Sequence, residues 1–188
     1  MDVNARKKNL RGEMLQKRAA LDRDYIRSAG DSIQRRVLSS EEYRRAKSVF
    51  VYVSVDGEPP TDLIIRTALK NGKRVYVPKC ISAHTMEAVR LSDPEDLVPG
   101  AYGIPEPVEI AEIASPAELD LVIVPCVAAS PDGARLGHGA GYYDRFLENA
   151  AGRTVCLCFK ETLRGDIPTE EHDAVMGKVV TEEGAEAR

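Results

Sequence analysis

The stretch DLVIVPCVAASPDGARLGHGAGYYDRFL, residues 120–147, contains the strongest fold signal in the chain. Its first eight residues are almost all apolar, which is typical of a strand that is covered on both faces of a parallel sheet. A glycine-rich segment follows and leads into a predicted helix at residues 142–150. This order places the glycine segment at the carboxyl end of a parallel strand, where open α/β sheets bind their ligands.

Helical and strand-like segments alternate on both sides of this stretch. Two amphipathic helices are predicted at the N-terminus, and Thr61 is a suitable N-cap for a third helix that ends near residues 71–72. Residues 92–107, rich in proline and glycine, are predicted to form a loop. The predicted strands cover residues 47–55, 73–78, 86–91, 120–127, 154–159 and 178–181. The alternation predicts an α/β fold with a mainly parallel sheet and helices on both faces.

Length and composition limit the class of protein. The chain has 188 residues, of which 43% are hydrophobic and 30% charged, so we expect one globular domain over residues 1–188 and not a disordered tail. The longest uncharged run, residues 121–131, is far shorter than the roughly 20 apolar residues of a membrane span. The charged N-terminus does not resemble a secretory signal. We therefore expect a cytoplasmic protein that does not act at a membrane.

Net charge limits the kinds of binding partner that we expect, and cysteine content indicates the state of the thiols. The net charge is −4, which does not favour binding to nucleic acid. A local basic excess occurs in the first predicted helix, where it forms either a solvated face or a local anion site; it comprises Arg6, Lys7, Lys8, Arg11, Lys17 and Arg18. The four cysteines form no C-x-x-C pair and are predicted to be reduced, packed thiols.

The segment from residue 131 to residue 147 has the composition of an anion site. Gly137, Gly139 and Gly141 alternate, which allows backbone N–H groups to approach a polyanion closely, and the helix that follows adds a partial positive charge. Arg135 offers a permanent cation, and Asp144 offers a hard oxygen ligand for Mg²⁺. A simple tight turn is the alternative on pattern alone, since neither the Walker A motif nor G-x-G-x-x-G is present.

Five elements in one order resemble a known family. The string RLGHGAGYYDRFL at residues 135–147 is similar to the signature of the 5-formyltetrahydrofolate cyclo-ligase family. The other matching elements are KKNLR at 7–11, VYVSVDGE at 51–58, GAYGIPEP at 100–107 and IPTEEHD at 167–173. The resemblance implies a three-layer α/β sandwich and an ATP-dependent ligase of one-carbon metabolism. That enzyme closes 5-formyltetrahydrofolate to 5,10-methenyltetrahydrofolate and releases ADP and phosphate.

The resemblance also implies roles for individual residues. Arg135 and Tyr143 are the implied catalytic residues, and Asp144 with Asp173 is the implied Mg²⁺-binding pair. The implied ATP-binding residues are Lys7, Arg11, Arg135, Leu136, Gly137, His138, Gly139, Ala140, Gly141, Tyr142 and Tyr143. The implied folate-binding residues are Val53, Glu58, His138, Gly139, Ala140, Gly141 and Tyr142. Small-molecule substrates and a monomer or weak homodimer are expected.

Two positions depart from the family pattern and leave an alternative open. Ala140 stands where relatives carry glycine or lysine, and His138 stands where many carry tyrosine or arginine. The alternative is a paralogue that binds a folate-like or thiamine-like ligand with little or no turnover. A third hypothesis, a sugar-phosphate isomerase or CoA-transferase type of enzyme, is disfavoured by the string from Arg135 to Asp144, because that class needs no ATP loop.

Overall fold

The computed structural model describes residues 2–55, 57–100, 103–110 and 112–187. Its helices are α1 (Val3–Ala19), α2 (Arg23–Ser39), α3 (Glu41–Arg45), α4 (Asp62–Lys70) and α5 (Tyr142–Leu147). The first six strands are β1 (Ser48–Val51), β2 (Arg74–Cys80), β3 (Met86–Leu91), β4 (Leu97–Pro99), β5 (Pro105–Pro107) and β6 (Ile113–Ala114). The others are β7 (Leu121–Val124), β8 (Ala128–Ala129), β9 (Arg135–Leu136), β10 (Arg153–Leu157), β11 (Lys178–Val180) and β12 (Ala185–Ala187).

Eight strands form one sheet in the order β12-β11-β10-β7-β1-β2-β3-β6. The five inner strands from β11 to β2 are mutually parallel, whereas β12, β3 and β6 pair antiparallel toward the edges. Strand β7 lies in the parallel part, and its residues Leu121–Val124 are all buried. The predicted mainly parallel sheet is therefore confirmed, with the apolar strand of the opening stretch inside it.

Side chains of alternate strand residues separate into two cores. Ile123 and Val49 belong to the core that is shared with α2, α3 and α4 on one face of the sheet. Val122 and Phe50 belong to the core on the other face, where α5 contributes Phe146. Helix α1 packs at a third position, against the β8–β9 hairpin. Helices therefore cover both faces, and the three-layer arrangement is confirmed.

The first predicted strand and the helix after it differ in detail from the prediction. Strand β1 ends at Val51, so residues 52–55 lie outside the regular sheet. The Thr61 hydroxyl donates to the Tyr52 carbonyl at 2.7 Å and accepts from the Ser54 N–H at 3.2 Å. Helix α4 does follow Thr61, but the side chain does not cap it. The hydroxyl instead pairs with backbone groups of Tyr52 and Ser54, which follow β1 and have no sheet partner at these atoms within the described ranges. Without this pairing, backbone groups away from water would lack a hydrogen bond.

Several short elements were not predicted. The segment at 92–107 contains the β4–β5 hairpin, and α3, β6, β8, β9 and β12 were also missed. Elements of two to five residues are too short to show a period. The predicted strand 120–127 ends at Val124 because Pro125 has no N–H for a sheet bond. Three residues of the family-like elements, Asp56, Ala101 and Tyr102, lie outside the described residues.

None of the helices in the described ranges combines the length and the apolar character needed to cross a bilayer.

Candidate active site

A cavity of about 560 Å³ lies at the carboxyl ends of three parallel strands. Tyr52 and Val53 follow β1, Cys80 ends β2, and Pro125 with Cys126 follows β7 in its wall. This is the edge of the sheet at which a ligand site was predicted. The strand ends form the wall here because the chain leaves the sheet at this edge and its loops open apart.

Every site residue that was predicted from the sequence lines this cavity. They come from four separate segments of the chain, which the fold brings together. The lining set contains Lys7, Arg11, Val53, Glu58, Arg135, Leu136, Gly137, His138, Gly139, Ala140, Gly141, Tyr142, Tyr143, Asp144 and Asp173.

The glycine loop, residues 137–141, joins β9 to α5. Gly139 and Gly141 have φ values of 101° and 70°, in the left-handed region that favours glycine. A Cβ on Gly137 would lie 2.9 Å from the Arg135 Nη1, so a side chain there would displace the arginine. Helix α5 has only six residues, so the dipole contribution that was expected from it at this loop is small.

Arg135 lies beneath the glycine loop, with 3% of its side chain exposed. Its Nη2 donates to the Asp144 Oδ1 at 2.7 Å, and its Nη1 donates to the Pro125 carbonyl at 3.4 Å. Within the described part of the chain, its Nε is buried with no hydrogen-bond partner. A buried N–H of this kind is costly unless another group accepts from it.

Tyr143 follows the glycine loop, and the Arg135 guanidinium lies 5.5 Å from the centre of its ring. Burial raises the pKa of the Tyr143 phenol well above its usual value, and the charge of Glu58 adds to the shift. The hydroxyl is therefore protonated at neutral pH. In this state Tyr143 can donate a hydrogen bond but does not act as a base.

The basic residues of α1 differ in their burial. Lys7 and Arg11 are half-buried and line the cavity, and Arg18 is buried, whereas Arg6, Lys8 and Lys17 are exposed. Arg11 Nε donates to the Gly137 carbonyl at 2.7 Å, which places its guanidinium against the loop. The cavity side of α1 therefore brings the cations Lys7 and Arg11 to the wall, while Arg6, Lys8 and Lys17 face solvent.

Lys7 joins α1 to the C-terminal element. Its Nζ lies 2.8 Å from the Glu170 Oε2 and 2.6 Å from the Asp173 Oδ2. Burial alone would raise the pKa of Asp173, but hydrogen bonds from Lys7 and from the Glu170 N–H outweigh it and lower that pKa. Burial alone would likewise lower the pKa of Lys7, but the two carboxylates raise it. Both groups are therefore charged at neutral pH.

Glu170 and His172 are site residues that the sequence analysis missed. Ligand atoms of Glu170, His172 and Asp173 all lie within 4.8 Å of one another. Both missed residues stand in the IPTEEHD element, so their spacing next to Asp173 was an available signal. The carboxylates of Glu170 and Asp173 are hard oxygen donors of the kind that Mg²⁺ prefers, and Asp144 lines the same cavity but is not part of this cluster.

Glu58 lies at another part of the cavity wall and is only 8% exposed. Its Oε2 accepts from the Val55 N–H at 3.2 Å, and its Oε1 lies 3.7 Å from the His138 Nε2. The apolar side chains Met86 and Ile104 also line the cavity, as does a second buried carboxylate, Glu106, which sequence analysis did not single out. An apolar wall with a few fixed polar atoms is typical of a small-molecule site.

A second contact network fastens the glycine loop to the tip of the β2–β3 hairpin. Tyr142 donates from its hydroxyl to the Ser82 carbonyl at 2.8 Å. Arg145, to which the sequence prediction gave no role, donates to the carbonyls of His84 and Ala140 at 2.8 and 2.7 Å. The loop is therefore fixed from two sides, by Arg11 and by this hairpin.

The cysteines agree with the sequence prediction. All four are free, and Cys126, Cys156 and Cys158 are buried. Cys156 and Cys158 belong to the same core and so face the same side of the sheet. Burial raises the pKa of the Cys80 thiol, so this group at the cavity wall is not a thiolate at neutral pH.

The fold and the cavity together define a class of protein: an α/β protein with a glycine loop and two arginines in the wall of a cavity at the carboxyl ends of its parallel strands. The family model of the 5-formyltetrahydrofolate cyclo-ligase family matches residues 3–182. A mouse protein of that name is 31% identical over an alignment of 194 positions that covers 96% of each chain. The chain belongs to the 5-formyltetrahydrofolate cyclo-ligase family, and its predicted activity as an ATP-dependent cyclo-ligase is confirmed at this level.

Solved structures agree with this assignment. The solution structure of 5,10-methenyltetrahydrofolate synthetase from Aquifex aeolicus is 31% identical, with a TM-score of 0.87 over 96% of this chain and 92% of that chain. A 5,10-methenyltetrahydrofolate synthetase from Mycoplasma pneumoniae is 22% identical, with a TM-score of 0.76 over 97% of this chain and 99% of that one. The second comparison supports the fold alone.

Proposed function

We propose that this cavity binds MgATP and 5-formyltetrahydrofolate side by side and catalyses formation of 5,10-methenyltetrahydrofolate, ADP and phosphate. One observation carries the proposal. A glycine loop flanked by Arg11 and Arg135 shares a single cavity with the buried carboxylate of Glu58. The first group suits a triphosphate, and the second suits the N–H groups of a reduced pterin.

The chemistry explains why a phosphate-binding loop must lie next to the folate. Ring closure has to expel the formyl oxygen, which is a poor leaving group as hydroxide. In the proposed route this oxygen attacks the γ-phosphorus of ATP, and the bond from that phosphorus to ADP breaks. The bridge nitrogen of the folate then attacks the activated carbon and loses its proton, and inorganic phosphate leaves with the former formyl oxygen and takes up that proton. The protein contributes positioning and neutralisation of charge, as in other phosphoryl transfers.

The ATP side is proposed to comprise α1 and the glycine loop. The Arg135 guanidinium lies beneath the loop, and its Nε has no hydrogen-bond partner among the described residues. Lys7 and Arg11 extend from α1 to the cavity wall. Tyr143, protonated at neutral pH, donates a hydrogen bond near the reacting oxygens. The other proposed ATP contacts are Leu136, Gly137, His138, Gly139, Ala140, Gly141 and Tyr142.

The folate side is proposed to comprise Val53 and Glu58, together with the loop residues that face both ligands. Glu58 accepts hydrogen bonds from the pterin, and Val53 packs against it as part of the wall. The loop residues shared between the two ligands are His138, Gly139, Ala140, Gly141 and Tyr142.

Asp144 and Asp173 are the proposed Mg²⁺ ligands, and their carboxylate oxygens match the preference of this ion. Mg²⁺ supplies neutralisation of phosphate charge when it is bound. In the ligand-free chain each carboxylate has a cationic partner instead, Arg135 for Asp144 and Lys7 for Asp173. These partners hold the two carboxylates in place.

We also propose a cytoplasmic monomer or weak homodimer, with residues 1–188 forming one domain. The net charge of −4 supports small-molecule substrates and not nucleic acid, and no membrane partner is proposed.

The decisive experiment is a coupled assay of turnover. The protein is incubated with 5-formyltetrahydrofolate and MgATP, and the absorbance of the methenyl product is followed together with ADP release. We expect one ADP for each product molecule. Tight folate binding without ADP release at saturating substrates would contradict the proposal and favour the non-catalytic paralogue.

Asp144→Asn should weaken the use of Mg²⁺ more than folate binding. The amide keeps the shape of the side chain but removes the charge that a hard cation requires. We expect the Mg²⁺ concentration for half-maximal rate to rise about tenfold, on the order of one charge-assisted contact. The measurement is the initial rate at several Mg²⁺ concentrations, with folate affinity measured separately.

Asp96→Asn, in an acidic turn away from the cavity, serves as the matched control. If Asp144→Asn shows the Mg²⁺ dependence of the parent enzyme, Asp144 is not a metal ligand and serves only as the partner of Arg135.

A further inference from the structure

Helix α1 presents a row of three cations toward the interior. Lys7, Arg11 and Arg18 are separated by four and seven residues, a spacing that keeps them on one helix face. Lys7 and Arg11 reach the phosphate end of the cavity, as described above. Arg18 lies about 16 Å further along the helix axis from Lys7, and it has no assigned role.

Arg18 is buried behind Glu58. Its side chain is 9% exposed, and its Nη1 lies 4.0 Å from the Glu58 Oε1. The same Nη1 donates to the Cys126 carbonyl at 3.3 Å. Its Nε would lie 3.6 Å from a Cβ on Gly57, so the guanidinium also packs against the turn that carries Glu58.

The two oxygens of Glu58 have different surroundings. Oε2 is fixed by the Val55 N–H, which leaves Oε1 as the oxygen nearest to the Arg18 guanidinium and the His138 imidazole. His138, one of these groups, lies on the glycine loop with 53% of its side chain exposed. Arg18, the other, is held on a helix by burial and by its bond to Cys126. A buried carboxylate next to a fixed guanidinium avoids the large cost of an unpaired buried charge.

We propose that Arg18 is a positioning residue for the folate end of the site. It orients the Glu58 carboxylate so that its oxygens accept from the pterin, without itself contacting the substrate. The proposal rests on the proposed role of Glu58 in folate binding. It also makes α1 common to both halves of the cavity, since one rigid helix carries the cations of the phosphate end and the residue that holds Glu58.

The test is a double-mutant cycle of Arg18→Met and Glu58→Gln, read as equilibrium binding. Binding of 5-formyltetrahydrofolate alone and of a non-hydrolysable ATP analogue alone is measured by calorimetry. We expect Arg18→Met to weaken folate binding about tenfold and to leave nucleotide binding unchanged, while Arg18→Lys recovers part of the loss. In the Glu58→Gln background, Arg18→Met should have little further effect.

Lys17→Met is the matched control, because Lys17 is the exposed neighbour of Arg18 and pairs with Glu161 on the surface. Equal losses of folate and nucleotide binding in Arg18→Met, or effects that add fully to those of Glu58→Gln, would show a purely structural role and overturn the proposal. Thermal unfolding accompanies each variant. If Arg18→Met does not fold, Arg18→Lys replaces it in the test, and its folate binding is compared with its nucleotide binding in the same way.

The outcomes also separate this proposal from the proposed function. Normal folate binding by Glu58→Gln alone would contradict the folate role of Glu58, and the role of Arg18 would fall with it. A clear loss in Glu58→Gln beside normal folate binding in both Arg18 variants would overturn the role of Arg18 and leave that of Glu58 intact.

Discussion

Arg135→Gln should lower kcat/KM for ATP by about tenfold to a hundredfold. The side chain is 3% exposed and donates to Asp144, and its Nε has no hydrogen-bond partner among the residues that the structure describes. Glutamine removes the permanent charge, and one charge-assisted hydrogen bond contributes about 1.5–3 kcal/mol. Glutamine also leaves the Asp144 carboxylate without its cationic partner. We therefore expect the fall in kcat/KM for ATP to exceed any fall in folate affinity.

The measurement is steady-state kinetics with ATP varied at saturating folate, together with folate affinity by titration. Arg135→Lys tests the geometry: lysine keeps the charge but lacks the planar fork, so we expect it to recover only part of the rate. Arg45→Gln, on the exposed surface of α3, is the control and should match the parent. Unchanged ATP kinetics with weakened folate binding would show that Arg135 belongs to the other half of the site.

Glu58→Gln should weaken 5-formyltetrahydrofolate binding by about tenfold to a hundredfold and change ATP binding little. Oε2 faces the Val55 N–H, and Oε1 faces Arg18 and His138. The amide group of glutamine therefore places a donor against a donor in either orientation, in addition to losing an acceptor for the pterin. Each charge-assisted contact of this kind contributes about 1.5–3 kcal/mol.

Titration of the variant with each ligand alone separates the two ends of the cavity. Glu41→Gln, at the exposed start of α3, is the matched control. Glu58 would have to be reassigned to the metal–phosphate cluster if Glu58→Gln bound folate normally and lost ATP.

Much of the fold could be predicted because its signals are local. The apolar run that contains β7, the glycine loop and α5 follow one another within 28 residues, and each element has its own pattern of apolar residues or glycines. Strand β3 was predicted with the bounds that the structure has, Met86–Leu91. The short elements α3, β6, β8, β9 and β12 were missed, because two to five residues cannot show a period of 2 or 3.6.

The candidate site was predictable as a set of residues but not as a set of contacts. The resemblance to the cyclo-ligase family supplied the set, and the structure places all of it around one cavity. Glu170 and His172 were overlooked beside Asp173, and Glu106 was overlooked in the loop that carries β5. Each stood in an element already singled out, where charge alone could not distinguish a wall residue from a solvated one.

The amino-acid order alone was sufficient for the α/β class, the parallel core strand, the glycine loop and the family. Only the tertiary structure shows that Lys7 meets Asp173 across 166 residues of chain, that Arg135 is buried under the loop, and that Arg18 lies behind Glu58. Elements are decided by short-range periodicity, which the sequence displays directly. Pairings between distant charges depend on where the folded chain brings helix α1, and a row of basic residues looks the same in sequence whether it meets water or a buried carboxylate.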